Sequence, residues 1–293
     1  MELTLSNITK VYPGGVTALD DLSLTIPTGM FGLLGPNGAG KSTLMRSIAT
    51  LQEVDAGSIT LGDIDVLREP DSVRRVLGYL PQDFGLYPNV DAVTMLSHIA
   101  ALKGHGQASE RKAMVEALLV RTNLWDHRKK KLGGYSGGMR QRFGIAQALL
   151  GQPQLIIVDE PTAGLDPEER NRFLNLLSEI GENVIVILST HIVEDVNEVC
   201  SRMAIIDRGR LLVEGVPHDA VAEIKGKTWR REIERNHLPQ YLRDHTVIST
   251  RLAGGRTIIH VFSESDPGDG FEAADPDLQD VYFTTLGGKL QEA

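Results

Sequence analysis

Apolar and polar positions change period along this chain, and each change marks an element. Near the N-terminus they alternate, at Leu3 and Leu5 and again at Leu22, Leu24 and Ile26. Period two predicts strands, and turn signals at Pro13-Gly14-Gly15 and Asp20-Asp21 make them an antiparallel sheet edge. Three runs are instead apolar throughout: Phe31 to Leu34, Leu155 to Val158 and Val184 to Leu188. That pattern belongs to parallel strands buried on both faces. Ser58 to Leu61 reads as another strand before a turn at Gly62-Asp63, and Val76 to Leu80 as one that ends at Pro81-Gln82. Helical spacing places Leu44, Ile48 and Leu51 on one face of a helix over Ser42 to Leu51. From Asp91 to about Thr122 the pattern stays helical. Val93, Leu96, Ile99 and Ala100 line one helix; Met114, Ala117, Leu118 and Arg121 mark a second, beyond Gly104-His105-Gly106. Two later helices carry inner faces of Phe143, Ala146 and Leu150, and of Phe173, Leu174, Leu177 and Ile180.

Strands alternating with helices imply an α/β fold with a parallel sheet. The antiparallel segment forms an N-terminal β subdomain, and residues of about 83–150 form an inserted helical subdomain. The main domain then covers 1–215. After Gly215 the character changes, and 216–293 reads as a small accessory α/β region. Its strands are Trp229 to Ile233, Val247 to Leu252 and Thr257 to Phe262, with a hairpin turn at Gly254-Gly255 and a closing helix over Asp277 to Leu286. Glu264 to Asp280 holds seven acidic residues and no basic one, the composition of a solvated linker. Asp266-Pro267-Gly268-Asp269-Gly270 lacks the spacing of a hand-type Ca²⁺ loop.

Charge and cysteine usage narrow the function classes. The 293 residues carry a net charge of −9, against nucleic acid as the main partner, since phosphate backbones select basic surfaces. Arg128-Lys129-Lys130-Lys131 is the one basic run, and a solvated helix end accounts for it. Cys200 is the single cysteine, so no intrachain disulfide forms and a reducing compartment fits. The start, Met1 to Leu5, has no secretion-signal pattern, and apolar runs fall far short of the ~20 residues that cross a bilayer. A membrane role has to come through another chain.

The chemistry concentrates at the ends of the apolar runs. After Leu34 comes Gly35-Pro36-Asn37-Gly38-Ala39-Gly40-Lys41-Ser42-Thr43, a phosphate-binding loop pattern, which makes the core a P-loop nucleotide hydrolase type. Glycines let backbone N–H groups converge on triphosphate oxygens, and the helix that follows adds the positive end of its dipole. Lys41 supplies a mobile charge for the outer phosphates, and the Ser42 hydroxyl suits Mg²⁺. Leu155 to Val158 ends in Asp159-Glu160, and Val184 to Leu188 in Ser189-Thr190-His191. Paired acids closing a core strand are poor packing, and ligands of open α/β sheets bind at the carboxyl ends of strands. If these strands are neighbours, loop, acids and imidazole face one cleft, where Asp159 would hold Mg²⁺ through water and Glu160 would polarise an attacking water. His191 taken alone fits a hydrogen-bonded loop histidine; its place at a strand end favours the cleft. Ser136-Gly137-Gly138 also precedes a helix, a second potential anion site that taken alone is an ordinary cap. Asp166 caps the helix begun by Pro167. Tyr12, in the turn region, packs or stacks on an adenine ring.

Taken in order, these stretches resemble the nucleotide-binding subunit of ATP-binding-cassette transporters over about residues 1–215, and the single-cassette ATPases of drug exporters most of all. The resemblance implies roles residue by residue. Tyr12 stacks on adenine, and Gly35 to Thr43 is the Walker A loop. Gln82 senses Mg²⁺ and the attacking water and couples to the permease. Ser136, Gly137 and Gly138 are the signature core, flanked here by Tyr135 and Met139 where the family usually has Leu and Gln. Asp159 is the Walker B aspartate, Glu160 the general base, Asp166 part of the loop across the dimer interface, and His191 a γ-phosphate contact. It further implies ATP and Mg²⁺ as cofactors and a homodimer, or a dimer with a related cassette, that sandwiches two ATP molecules. A separately encoded permease would hold that dimer at the cytoplasmic face of the plasma membrane, with export favoured over import. The rival readings are a soluble cassette ATPase acting on nucleic acid or ribosomes and a small-molecule kinase. The interval between the Walker motifs has neither heptads nor a cysteine cluster, there is one cassette, and a kinase leaves Ser136-Gly137-Gly138 unexplained.

Overall fold

The computed structural model describes residues 1–268 and 270–287. Its first two strands, β1 (Glu2–Tyr12) and β2 (Val16–Pro27), pair antiparallel around the turn at Pro13 to Gly15. Asp20-Asp21 is not a second turn. It lies inside β2 as a bulge, two residues opposite one between the Ile8–Leu22 and Lys10–Leu19 pairs. Asp21 takes up the extra residue with φ 53°, and its carboxylate accepts from Asn7 Nδ2 at 2.8 Å. A bulge and a turn ask for the same residue type, one that tolerates the left-handed region.

Next come β3 (Gly29–Leu34), α1 (Lys41–Ile48), β4 (Ala56–Leu61) and β5 (Ile64–Asp65). β4 joins the free side of β1 and β5 folds back on it, so the N-terminal sheet runs β2-β1-β4-β5. α1 stops at Ile48, and Leu51 lies beyond it, 62% exposed rather than on the buried face. After α2 (Pro70–Val76) and β6 (Leu77–Leu80), a block of helices projects from the sheet: α3 (Ala92–Leu102), α4 (Ala108–Arg121) and α5 (Gly137–Ala148). α3 buries the expected stripe, with Leu96 and Ala100 innermost. α4 is rotated from the predicted face: Val115, Leu118 and Leu119 are buried, whereas Ala117 and Arg121 are exposed. Long Arg and Met stems on an amphipathic helix blur the stripe by which a face is recognised. Arg128 stacks over the Trp125 ring, 4.0 Å from its centroid, and Lys129 to Lys131 face solvent.

The main sheet is completed by β7 (Leu155–Asp159), α6 (Pro167–Gly181), β8 (Ile185–Thr190), α7 (Val193–Val199), β9 (Arg202–Asp207) and β10 (Arg210–Gly215). Its order is β10-β9-β3-β8-β7-β6, parallel except for the edge strand β10. Residues along β3, β7 and β8 alternate between two cores. Phe31, Leu33, Leu155, Ile157, Ile185 and Ile187 pack towards the N-terminal sheet and α1. Met30, Leu34, Ile156, Val158, Val186 and Leu188 pack towards the helices. That double burial is why these runs carry no polar position until their ends.

The C-terminal stretch adds α8 (Pro217–Glu223), β11 (Thr228–Ile233), α9 (Leu238–Asp244), β12 (Thr246–Ala253), β13 (Arg256–Phe262), β14 (Glu272–Ala273) and α10 (Leu278–Thr285). Its sheet, β12-β13-β11-β14, has its own small core around Ile233, Val247, Ile259, Val261 and Phe271. Ala220 of α8 and Leu278, Val281 and Tyr282 of α10 instead join the helix-side core of the main sheet. The acidic segment is not simply a solvated linker. Glu272 lies in β14 and pairs with Arg230 at 2.9 Å, Asp277 and Asp280 form a capping box for α10, and Asp280 is buried. Asp269 lies outside the described residues.

Candidate active site

Gly40 opens α1 in a conformation that an L side chain resists, with φ 105°. A Cβ there would meet the Ala18 carbonyl and stand 3.2 Å from Leu19 Cδ2, so β2 presses on the loop directly. The loop wraps Lys41, whose ammonium donates to the Gly35 carbonyl and, at 3.2 Å, to the Pro36 carbonyl. Burial lowers the Lys41 pKa, and the nearby Glu160 and Asp159 charges partly offset that.

The acids and the imidazole arrive on adjacent strands. β8 lies between β3 and β7, with Leu34 opposite Thr190 and Asp159 opposite Ser189. All three strands therefore release their functional residues at the same edge of the sheet. Asp159 is buried, and desolvation raises its pKa; the Ser189 hydroxyl pulls the other way, and Glu160 adds to the rise. Glu160 leaves the strand with φ 48° while its N–H donates to the Ser189 carbonyl at 2.8 Å. A non-glycine residue held there costs on the order of 1–3 kcal/mol, a strain typical of functional sites. His191 Nδ1 lies 2.6 Å from Glu160 Oε2. An ionised carboxylate only accepts, so Nδ1 carries the hydrogen and Nε2 is left to face the cleft.

One cleft of about 410 Å³ is lined by Tyr12, by Pro36 to Thr43, and by Gln82, Asp159, Glu160 and His191, together with Val16, Thr17 and Ala18 of β2. Gly35 precedes that lining at the end of β3. Tyr12 is the last residue of β1, not part of the turn, and its hydroxyl is held by Gln52 at 2.9 Å and Thr43 at 3.2 Å. Gln82 also lines a neighbouring groove with Phe84, Gly137 and Arg140. Ser136, Gly137, Gly138 and Asp166 do not line the cleft. They form a second group at the N-termini of α5 and α6. Ser136 Oγ accepts from the Met139 N–H at 3.3 Å and Asp166 from the Glu169 N–H at 2.9 Å, while Arg142 and Glu169 pair at 3.0 Å between the helices. Tyr135 and Met139 are buried, and Tyr135 meets Phe143 edge-on, so the two flanking departures serve the core.

Sequence reasoning missed the supports of the site: Ser189, the β2 residues that form one wall, and the buried Asp195, Thr162 and Arg170. Only Asp195 left a signal, at one helical turn after His191. For a metal, Ser42, Gln82 and Asp159 offer the hard oxygen donors that Mg²⁺ takes. Asp159 has no ion-pair partner among the described residues, as fits a buried carboxylate built to face a dication. No group of three or more His, Cys, Asp or Glu among the described residues forms a rival site.

The family described as ABC transporter matches residues 19–163. The linearmycin resistance ATP-binding protein LnrL of Bacillus subtilis (strain 168) is 37% identical over 230 residues, which is 77% of this chain and 73% of LnrL. The daunorubicin/doxorubicin resistance ATP-binding protein DrrA of Streptomyces peucetius is 38% identical over 212 residues, covering 72% of this chain and 64% of DrrA. Among solved structures, a dimeric ATP-binding cassette in a post-hydrolysis state with ADP and Pi superimposes with a TM-score of 0.66 at 27% identity, over 73% of this chain and 98% of that one.

Proposed function

The chain belongs to the ABC transporter ATP-binding family, and on that premise we propose that it drives an exporter of drug-like molecules, as a homodimer or paired with a related cassette. It is an ATP-binding and ATP-hydrolysing subunit that powers a membrane transporter. No helix among the described residues is long and apolar enough to cross a membrane. We place the passage in a separately encoded permease, with this chain on the cytoplasmic face of the plasma membrane.

In the proposed mechanism the N–H groups of Gly35 to Thr43 hold the phosphates, and Lys41 releases the loop carbonyls to reach them. Tyr12 carries the adenine. Ser42, Gln82 and Asp159 would hold Mg²⁺, which neutralises charge on the outer phosphates when bound. Glu160 takes the proton of the attacking water; His191, fixed through Nδ1, directs Nε2 to the terminal phosphoryl group. Ser136 to Gly138 and Asp166 act on the ATP of the partner subunit. The observation that carries this reading is the division into two groups: one cleft is lined by every expected nucleotide residue except Gly35, which leads into it, and the signature and Asp166, which lie apart. Such a half-site would be completed by a second cassette, which agrees with the dimer of the solved cassette. The main domain of 1–215 would then act as the cassette and 216–293 as an accessory region. The direction of transport rests on the names of the two resistance proteins, since an importer needs the same site.

Glu160→Gln tests this. The variant should bind ATP, lose steady-state hydrolysis and accumulate as an ATP-bound dimer in size-exclusion chromatography. Normal turnover would remove Glu160 from the mechanism. The membrane role is tested by co-purification with a polytopic permease, and recovery with ribosomes or DNA alone would overturn it.

A further inference from the structure

Asp195 lies on α7 one turn beyond His191, takes no part in lining the cleft, and is 0% exposed. Its Oδ2 accepts from Thr162 Oγ1 at 2.6 Å and its Oδ1 from Arg170 Nε at 2.6 Å. Thr162 sits in the loop that leaves Glu160. Arg170 is in the first turns of α6, where its N–H donates to the Asp166 carbonyl at 2.9 Å. A single carboxylate thus fastens α7 to the loop that carries the proposed base and to the helix that Asp166 caps.

That fastening adds direction to the apolar seat of α7, where Val193 and Val196 pack into the core without fixing the span from Glu160 to His191. The His191 side chain is 58% exposed. Only Ile192 separates it from α7, so its position follows the start of that helix. Glu160 stands in a strained conformation just outside the sheet. The sheet fixes the Glu160 backbone through Ser189, but the span from carboxylate to imidazole depends on where α7 begins. A buried ion pair is a poor stabiliser compared with apolar packing, but it has direction, which apolar packing lacks.

We propose that Asp195 is a positioning residue for hydrolysis: through Thr162 and Arg170 it sets the Glu160–His191 geometry and the pose of the Asp166 loop. This rests on the reading of Glu160 and His191 given above. ATP binding by the phosphate loop does not depend on it, so its loss should fall on turnover.

The test compares Asp195→Asn, Thr162→Val and Thr162→Ser with Glu160→Gln in the purified full-length chain, each variant checked for a cooperative melt. Asp195→Asn should lower kcat by about tenfold or more, with the KM for ATP within about twofold, as expected for a shift of roughly 1 Å at the reacting groups. Thr162→Val should move kcat the same way, and Thr162→Ser, which keeps the hydroxyl, should recover it. If Glu160→Gln turns over normally, the reading of the site fails. If Glu160→Gln is inactive while folded Asp195→Asn and Thr162→Val keep kcat within about twofold, Asp195 is a structural ion pair and the proposal is overturned. Should Asp195→Asn fail to fold, the Thr162 pair decides alone.

Discussion

Gly32→Ala offers a sharp test of how the site is carried, because the change lies in the sheet rather than in the cleft. Gly32 is in β3, between β8 and β9, and Val196 of α7 packs straight onto it. A Cβ at Gly32 would stand 2.7 Å from Val196 Cγ2 and 3.1 Å from its Cβ, and closer still to Cγ1. Carbon atoms rest at about 3.5–4.0 Å, so α7 would have to retreat by roughly 1 Å. Both residues are in the interior, and overpacking of that kind costs about 1–3 kcal/mol. The retreating helix takes the start of α7, and with it His191, away from Glu160, so kcat should drop by about tenfold or more. Val196→Ala removes two methyl groups and should cost roughly 2 kcal/mol by itself. In the double variant the new methyl fills that space. Urea unfolding should then show the pair less destabilised than the sum of the singles by about 1–2 kcal/mol, with ATPase activity partly restored. Additive losses, or a Gly32→Ala protein with normal stability and turnover, would show that α7 is not seated on β3 in this way.

Three further outcomes follow from the charges and from the last helix. Burial raises the Asp159 pKa, so its protonated form is favoured in the folded chain: the stability it contributes is complete below the ordinary aspartate pKa and is lost as pH rises through the raised value. Without nucleotide, Asp159→Asn should therefore melt above the unmodified chain at pH 7, with the gap closing towards pH 4; a variant that melts lower at pH 7 would refute this. Removal of residues 216–293 would uncover the core face now covered by Leu278, Val281 and Tyr282, and cut the Gln279–Glu194 hydrogen bond to α7. The truncated chain should melt lower and hydrolyse ATP more slowly, and unchanged values for both would make this region independent of the cassette. Tyr282 reports the same packing: burial first, then the Asp207 and Glu160 charges, push its hydroxyl up to about 12, and burial also raises Tyr79 and Tyr135, so spectroscopic titration should find these three tyrosines ionising late.

How much of this was legible in the chain follows from the range of each signal. The phosphate loop could be read because its demands are local: a left-handed Gly40, N–H groups without side chains, a lysine and a hydroxyl at set spacing. The three core strands could be read because burial on both faces removes polar residues until the strand ends, which makes Asp159, Glu160 and His191 conspicuous. Caps such as Ser136 and Asp166 reach only three residues along the chain, and they too were visible. What stayed hidden was decided by partners far apart. Asp195 meets Thr162 and Arg170, 33 and 25 residues away, and Arg210 of β10 reaches Asp20 across 190. The same holds for Asp20-Asp21, whose residue types serve a turn or a bulge equally until β1 fixes the register. α10 was legible as a helix, but its seat on α7 was not, since an apolar stripe records that a face is covered and not by what. Periodicity and local backbone chemistry thus determined the elements and the residues at their ends. Which of those ends meet was settled only when long-range packing brought β3, β8 and β7 side by side.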